Sequence, residues 1–156
     1  MAFYSRKSAR IPNFDYSSCN CYFVTICTHK RKCIFGLPDE SNDFGVIAEE
    51  EIKKVPEHYC GIKIDKYVVM PNHIHMIIVL EKEEYNLNQI IAQYKSGVSR
   101  RIHQMNAKME IWQRSYHDHI IRDQKSYEKI WLYIEANPLN WNKDCFYIDP
   151  TIGSAY

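Results

Sequence analysis

One stretch constrains this chain more than any other: Tyr67-Val68-Val69-Met70-Pro71-Asn72-His73-Ile74-His75-Met76-Ile77-Ile78-Val79-Leu80. Two β-branched, apolar runs flank a Pro-Asn corner, and each reads as a strand. Side chains at i and i+2 of a strand point to the same face, so His73 and His75 project together from one side of a sheet. Imidazole is the commonest nitrogen ligand for metals, and two on one rigid strand would make a bidentate clamp. The competing reading is a pair of hydrogen-bonded core histidines, which would need two separate buried partners.

The remaining elements can be placed around this stretch. Residues 1–20 are polar and basic and read as an arm. Tyr22 to Thr28 reads as the first strand, followed by the basic run His29-Lys30-Arg31-Lys32. Leu37 to Asp43 is a loop. Val46, Ile47, Glu50, Ile52 and Val55 give a first amphipathic helix with Pro56 near its end, and Ile62 to Met70 gives the second strand. From Leu87, the apolar positions Ile90, Ile91, Tyr94, Val98 and Ile102 follow helical spacing. Gly97 weakens that helix by about 1 kcal/mol relative to Ala. The last part of Ile111–Ile121 is a fourth strand. Asp123 caps a final helix that Pro138 stops, and residues 139–156 form an irregular tail. The order strand–helix–strand–strand–helix–strand is that of an α+β, ferredoxin-like split β-α-β unit with an antiparallel sheet. Both early helices then share one face, and the last helix is left to cover part of the other. At 156 residues the expectation is one domain.

Charge sharpens the picture. Formal net charge is only +1, yet residues 1–34 hold Arg6, Lys7, Arg10, Lys30, Arg31 and Lys32 against the single acid Asp15. Residues 85–105 hold Lys95, Arg100 and Arg101 and no acid, whereas 39–51 is strongly acidic. Such a chain can present a basic face to nucleic acid, although a solvated surface of mixed sign fits equally. Cysteines at 19, 21, 27, 33, 60 and 145 form no C-x-x-C pair. With no secretory signal and no membrane-length apolar run, the expectation is a reduced, cytoplasmic protein.

A nucleophile is suggested by the last helix. Tyr133 and Asn137 are four residues apart and share a helical face. If that helix crosses the histidine face, Asn137 offers an amide oxygen as third ligand and Tyr133 sits one turn away. Two imidazoles and an amide oxygen leave positions for water and a phosphate oxygen, as Mg²⁺ or Mn²⁺ requires. Tyr116 and Tyr127 are rivals among the twelve tyrosines. Asn137 before a proline also fits an ordinary helix end.

Three motifs then carry a family: Met70-Pro71-Asn72-His73-Ile74-His75, Trp112 through Arg122, and Tyr133-Ile134-Glu135-Ala136-Asn137-Pro138. In this order they closely resemble the single-tyrosine HUH transposases, in the branch of REP-associated tyrosine transposases. The resemblance covers roughly Tyr22 to Trp141. It implies Mg²⁺ or Mn²⁺ held by His73, His75 and Asn137, with Tyr133 as nucleophile. It implies a metal-dependent endonuclease and strand transferase that cuts single-stranded DNA beside a hairpin through a 5′-phosphotyrosine. The resemblance leaves oligomeric state open: some relatives act as homodimers that exchange the tyrosine helix, whereas REP-associated ones can act as monomers. Arg31, Lys32, Lys95, Arg100, Arg101, Arg114 and Arg122 are the candidate DNA contacts. Two other classes compete: a domesticated hairpin-DNA-binding protein without cleavage, and a histidine-motif nucleotide phosphohydrolase. The latter needs H-x-H-x-H on one strand, and the third position here is Ile77.

Overall fold

The structure, a computed structural model, describes residues 20–149. The expected N-terminal arm thus lies outside the described residues apart from Asn20, as does the end of the tail from 150 onward. The chain runs through β1 (Cys21–Cys27), β2 (Gly36–Leu37), β3 (Glu40–Ser41), α1 (Asp43–His58), β4 (Ile62–Met70), β5 (His73–Leu80), α2 (Leu87–Met105), β6 (His117–Ile121) and α3 (Gln124–Ala136). Single 3₁₀ turns occupy His29–Arg31 and Trp141–Lys143.

β4, β5, β1 and β6 form one antiparallel sheet in that order. This is the ferredoxin-like arrangement expected from the element order: β5 separates the parallel pair β1 and β4, and β1 separates β5 from β6. Each helix begins on a side chain that satisfies a free backbone N–H. Asn42 accepts from Gly45 N at 3.0 Å, Asn86 and Gln89 form a reciprocal capping box, and Asp123 accepts from Ser126 N at 2.8 Å.

Strand alternation gives the sheet two packed faces. Tyr22, Val24 and Ile26 of β1, with Ile74, Met76 and Ile78 of β5, pack against α1 and α2. Phe23 and Ile77 face the other way and meet Ile130 and Ile134 of α3. Both faces of β5 are therefore covered, which is why it reads as an unbroken apolar run rather than an alternating one. His73 and His75 share the parity of Ile77 and so lie on the α3 face.

The structure refines four local expectations. The 37–43 loop contains the β2–β3 hairpin, entered through Gly36 at φ +94°, where a Cβ would meet Asn42 N and Glu40 O at 2.6 Å. Helix α1 starts at Asp43, ahead of its first apolar residue, because Asn42 caps it. Pro56 lies inside α1, in its last turn; it removes the N–H that would bond Ile52 O, and the helix runs only to His58 beyond it. The expected weakness at Gly97 has a packing reason: a Cβ there would stand 2.6 Å from Glu51 Oε2 on α1. Among the described residues, no helix is long and apolar enough to cross a membrane.

Candidate metal and nucleophile site

The site begins at the two-residue corner between β4 and β5. Asn72 is fully buried and holds three partners. Its Nδ2 donates to Arg31 O at 3.1 Å and to Phe146 O at 2.8 Å. Its Oδ1 therefore faces His73 Nδ1, at 2.9 Å. An amide oxygen has no hydrogen to give, so the His73 Nδ1–H is the donor and Nε2 carries the lone pair. Fixing the ring through its other nitrogen is how metal-binding imidazoles are oriented. His75, paired across the sheet with Thr25, is anchored through its Nδ1, which lies 2.8 Å from Thr25 Oγ1, a hydroxyl that can accept or donate. The two rings are 4.5 Å apart between centroids.

Both histidines are fully buried. Burial pushes the His73 pKa down to about 4, against the raising effect of the Asp144 carboxylate and the Asn137 amide. Burial also holds His75 well below the ordinary value, and neighbouring His73 lowers it further. Both rings are thus neutral near pH 7, the form that binds metal.

Helix α3 crosses this face. The Tyr133 ring lies 5.3 Å from the His75 ring and packs edge-on against Phe23 at 6.1 Å. Asn137, one turn on, is buried with its Oδ1 lacking a hydrogen-bond partner. The same holds for His73 Nε2. Orphaned acceptors in a dry interior are costly, and a bound cation is what would satisfy them. The residues thus fit the Mg²⁺ or Mn²⁺ expected from the sequence. α3 belongs to the same chain as the histidines, so a second copy is not needed to bring Tyr133 to them. The rival tyrosines are engaged elsewhere. Tyr116 is buried and donates to Asn88, and Tyr127 donates to Asp65 Oδ2 at 3.1 Å. Cys27, opposite His73 across the sheet, is no alternative nucleophile, since burial pushes its thiol up to about 12.

One residue of this site was missed by sequence reasoning. Asp144 follows the 3₁₀ turn after α3 and brings its carboxylate, 2% exposed, to 3.8 Å from His73 Nε2. Ligand atoms of His73, His75 and Asp144 all lie within 4.8 Å of one another. Asn137 Nδ2 donates to Asp144 Oδ2 at 3.1 Å. The sequence signal was faint: a lone acid seven residues after Asn137 in a stretch without periodicity.

The candidate DNA contacts are dispersed. Arg31 is exposed, in a left-handed backbone conformation at φ +54°, with its guanidinium 5.1 Å from the Phe146 ring beside the histidines. Lys32, Arg114 and Arg122 are exposed. Lys95 is half-buried and donates to Gln113 O at 2.7 Å. Arg100 and Arg101 lie on α2, across the sheet from the histidines, and Arg101 pairs with Glu50 and Glu51.

Asn72 offers a stability test of this framework. Asn72→Ala removes three hydrogen bonds, two of them buried, and strands two carbonyls and an imidazole N–H. It is expected to lower unfolding free energy by about 3 kcal/mol or more in urea titration. A loss under about 1 kcal/mol would mean that the corner does not hold His73.

A profile of the family described as IS200-like transposases matches residues 15–137. An uncharacterized protein of Haemophilus influenzae is 32% identical, over 92% of this chain and 94% of its own length. A second H. influenzae protein, assigned as a REP-associated tyrosine transposase, is 29% identical over 80% of this chain and 73% of its own. Among solved structures, a REP-associated tyrosine transposase bound to a REP hairpin superposes with a TM-score of 0.66 at 22% identity, covering 90% of this chain and 74% of that one. A Deinococcus radiodurans protein described as a transposase superposes at 0.55 and 16% identity, covering 74% and 88%.

Proposed function

Because the chain belongs to the IS200-like transposase family, we propose that it is a metal-dependent endonuclease and strand transferase acting on single-stranded DNA beside a hairpin, with Tyr133 as nucleophile. The observation that carries this reading is the position of Tyr133 on α3, its ring 5.3 Å from that of His75. The hairpin partner is suggested by the solved relative bound to a REP hairpin.

His73 Nε2, His75 Nε2 and Asn137 Oδ1 are the atoms that would hold the ion. Bound there, Mg²⁺ or Mn²⁺ supplies Lewis-acid polarisation of the scissile phosphate and favours the phenolate over a phenol of ordinary pKa about 10. Tyr133 Oη then attacks phosphorus and loses its proton. The bond from phosphorus to the 3′ oxygen breaks, and that oxygen leaves as a 3′-hydroxyl. One phosphodiester becomes another, so the 5′-phosphotyrosine conserves the bond for rejoining or for transfer to a different 3′-hydroxyl. Phe23 and the His75 ring flank Tyr133 and restrict its rotation, which favours in-line attack. Arg31, Lys32, Arg114 and Arg122 are exposed cations suited to backbone phosphates.

A cleavage assay on single-stranded DNA with a hairpin tests this reading. Mg²⁺ or Mn²⁺ should yield a free 3′-hydroxyl fragment and a protein-linked 5′ fragment, and chelation should remove both. Cleavage undiminished by chelator would contradict the metal's role.

A further inference from the structure

Resting on the metal site just proposed, we infer that Asp144 is its anionic ligand, making the site a four-residue set of His73, His75, Asn137 and Asp144. Two neutral imidazoles and an amide form a weak cage for a hard dication. Mg²⁺ and Mn²⁺ favour carboxylate oxygen. Asp144 supplies one, and its surroundings otherwise make little sense for a carboxylate. The group is 2% exposed, and its one ion-pair contact among the described residues is His73 Nε2 at 3.8 Å. A carboxylate whose hydrogen bonds come from neutral donors, Phe146 N and Asn137 Nδ2, is expensive to hold in a dry interior. A dication among these four residues would balance it and would also satisfy His73 Nε2 and Asn137 Oδ1.

The chain after α3 is built to hold this carboxylate in place. Asp144 N donates to Trp141 O at 3.0 Å, closing the 3₁₀ turn, and Asp144 Oδ1 accepts from Phe146 N at 2.7 Å. Trp141 and Phe146 are buried against Cys27 and Met70 at the base of the histidine strand. Asn72 ties the same segment down through Phe146 O. The remaining oxygen, Oδ2, is left facing Asn137 and His73. The separation of 3.8 Å is less than the roughly 4.2 Å that two ligands at about 2.1 Å can span across one ion.

Calorimetric titration of the full chain with Mn²⁺ and with Ni²⁺ tests this. Asp144→Asn keeps the size and removes the charge. It should weaken Mn²⁺ binding about 100-fold, and Ni²⁺ binding by about tenfold less than that, since Ni²⁺ is content with nitrogen donors. Asp144→Glu should recover part of the Mn²⁺ affinity, and it keeps the test open if Asp144→Asn folds poorly. Equal losses for both ions would mean that Asp144 only orients Asn137, and unchanged Mn²⁺ affinity would remove it from the site. Either result overturns the ligand assignment. His75→Ala separates this from the reading beneath it: Mn²⁺ binding that survives His75→Ala would instead contradict the paired-histidine site itself.

Discussion

Tyr133→Phe is expected to abolish protein–DNA covalent attachment while leaving hairpin binding nearly intact. The substitution removes one oxygen and keeps the ring that packs between Phe23 and His75. The fold should therefore tolerate it. A single hydroxyl hydrogen bond is worth about 0.5–1.5 kcal/mol, so DNA affinity should change by no more than about tenfold. Attachment, by contrast, has no other route, because the oxygen lost is the one that would join the phosphate. Residual attachment would point to Tyr116 or Tyr127, yet both hydroxyls already donate to partners away from the histidines, Asn88 and Asp65. Gel shift and denaturing-gel trapping, run on the same labelled hairpin DNA, read the two quantities separately.

His75→Ala is expected to have the second-largest effect. Its ring stands between Tyr133 and His73, with centroids 5.3 Å and 4.5 Å away. Losing one of two imidazoles should reduce Mn²⁺ binding below detection. Polarisation by a metal is worth several kcal/mol, and each 1.36 kcal/mol is tenfold in rate, so cleavage should fall by roughly 10²–10³-fold. The variant also leaves a cavity and frees Thr25 Oγ1 from its partner at 2.8 Å. Circular dichroism at the assay temperature must therefore show a folded chain. Cleavage within about threefold of the parent would remove the metal from the account.

The fold was legible because its signals are local and repeated. Helical spacing marked α1, α2 and α3, β-branched runs marked β1, β4 and β5, and Asp123 announced the start of α3. His73 and His75 were legible for the same reason: two-residue periodicity places both on one face without any knowledge of the rest. The convergence of Tyr133 and Asn137 on that face was readable as a helical spacing of four, conditional on where α3 docks. Strand parity decides the docking, since Phe23 and Ile77 need Ile130 and Ile134 to cover them.

What escaped reading depends on tertiary geometry. Asp144 sits after a single 3₁₀ turn whose direction is set by burial of Trp141 and Phe146, and no periodicity encodes that. The partners of Arg101 are Glu50 and Glu51 on another helix, so a basic stretch in sequence became an α1–α2 contact in space. Lys95 likewise turned inward to the carbonyl of Gln113. The brief β2–β3 hairpin rests on one left-handed glycine, Gly36, too small a signal to separate from a loop.

The central claim is that Tyr133, beside the paired histidines, is the residue that takes the phosphate. Peptide mapping by mass spectrometry of the adduct formed with hairpin-bearing single-stranded DNA and Mn²⁺ tests it most directly. The account predicts one nucleotide-modified peptide, spanning α3, with the phosphate on Tyr133. A phosphate on any other residue, or strand cleavage without any protein-linked product, would contradict it.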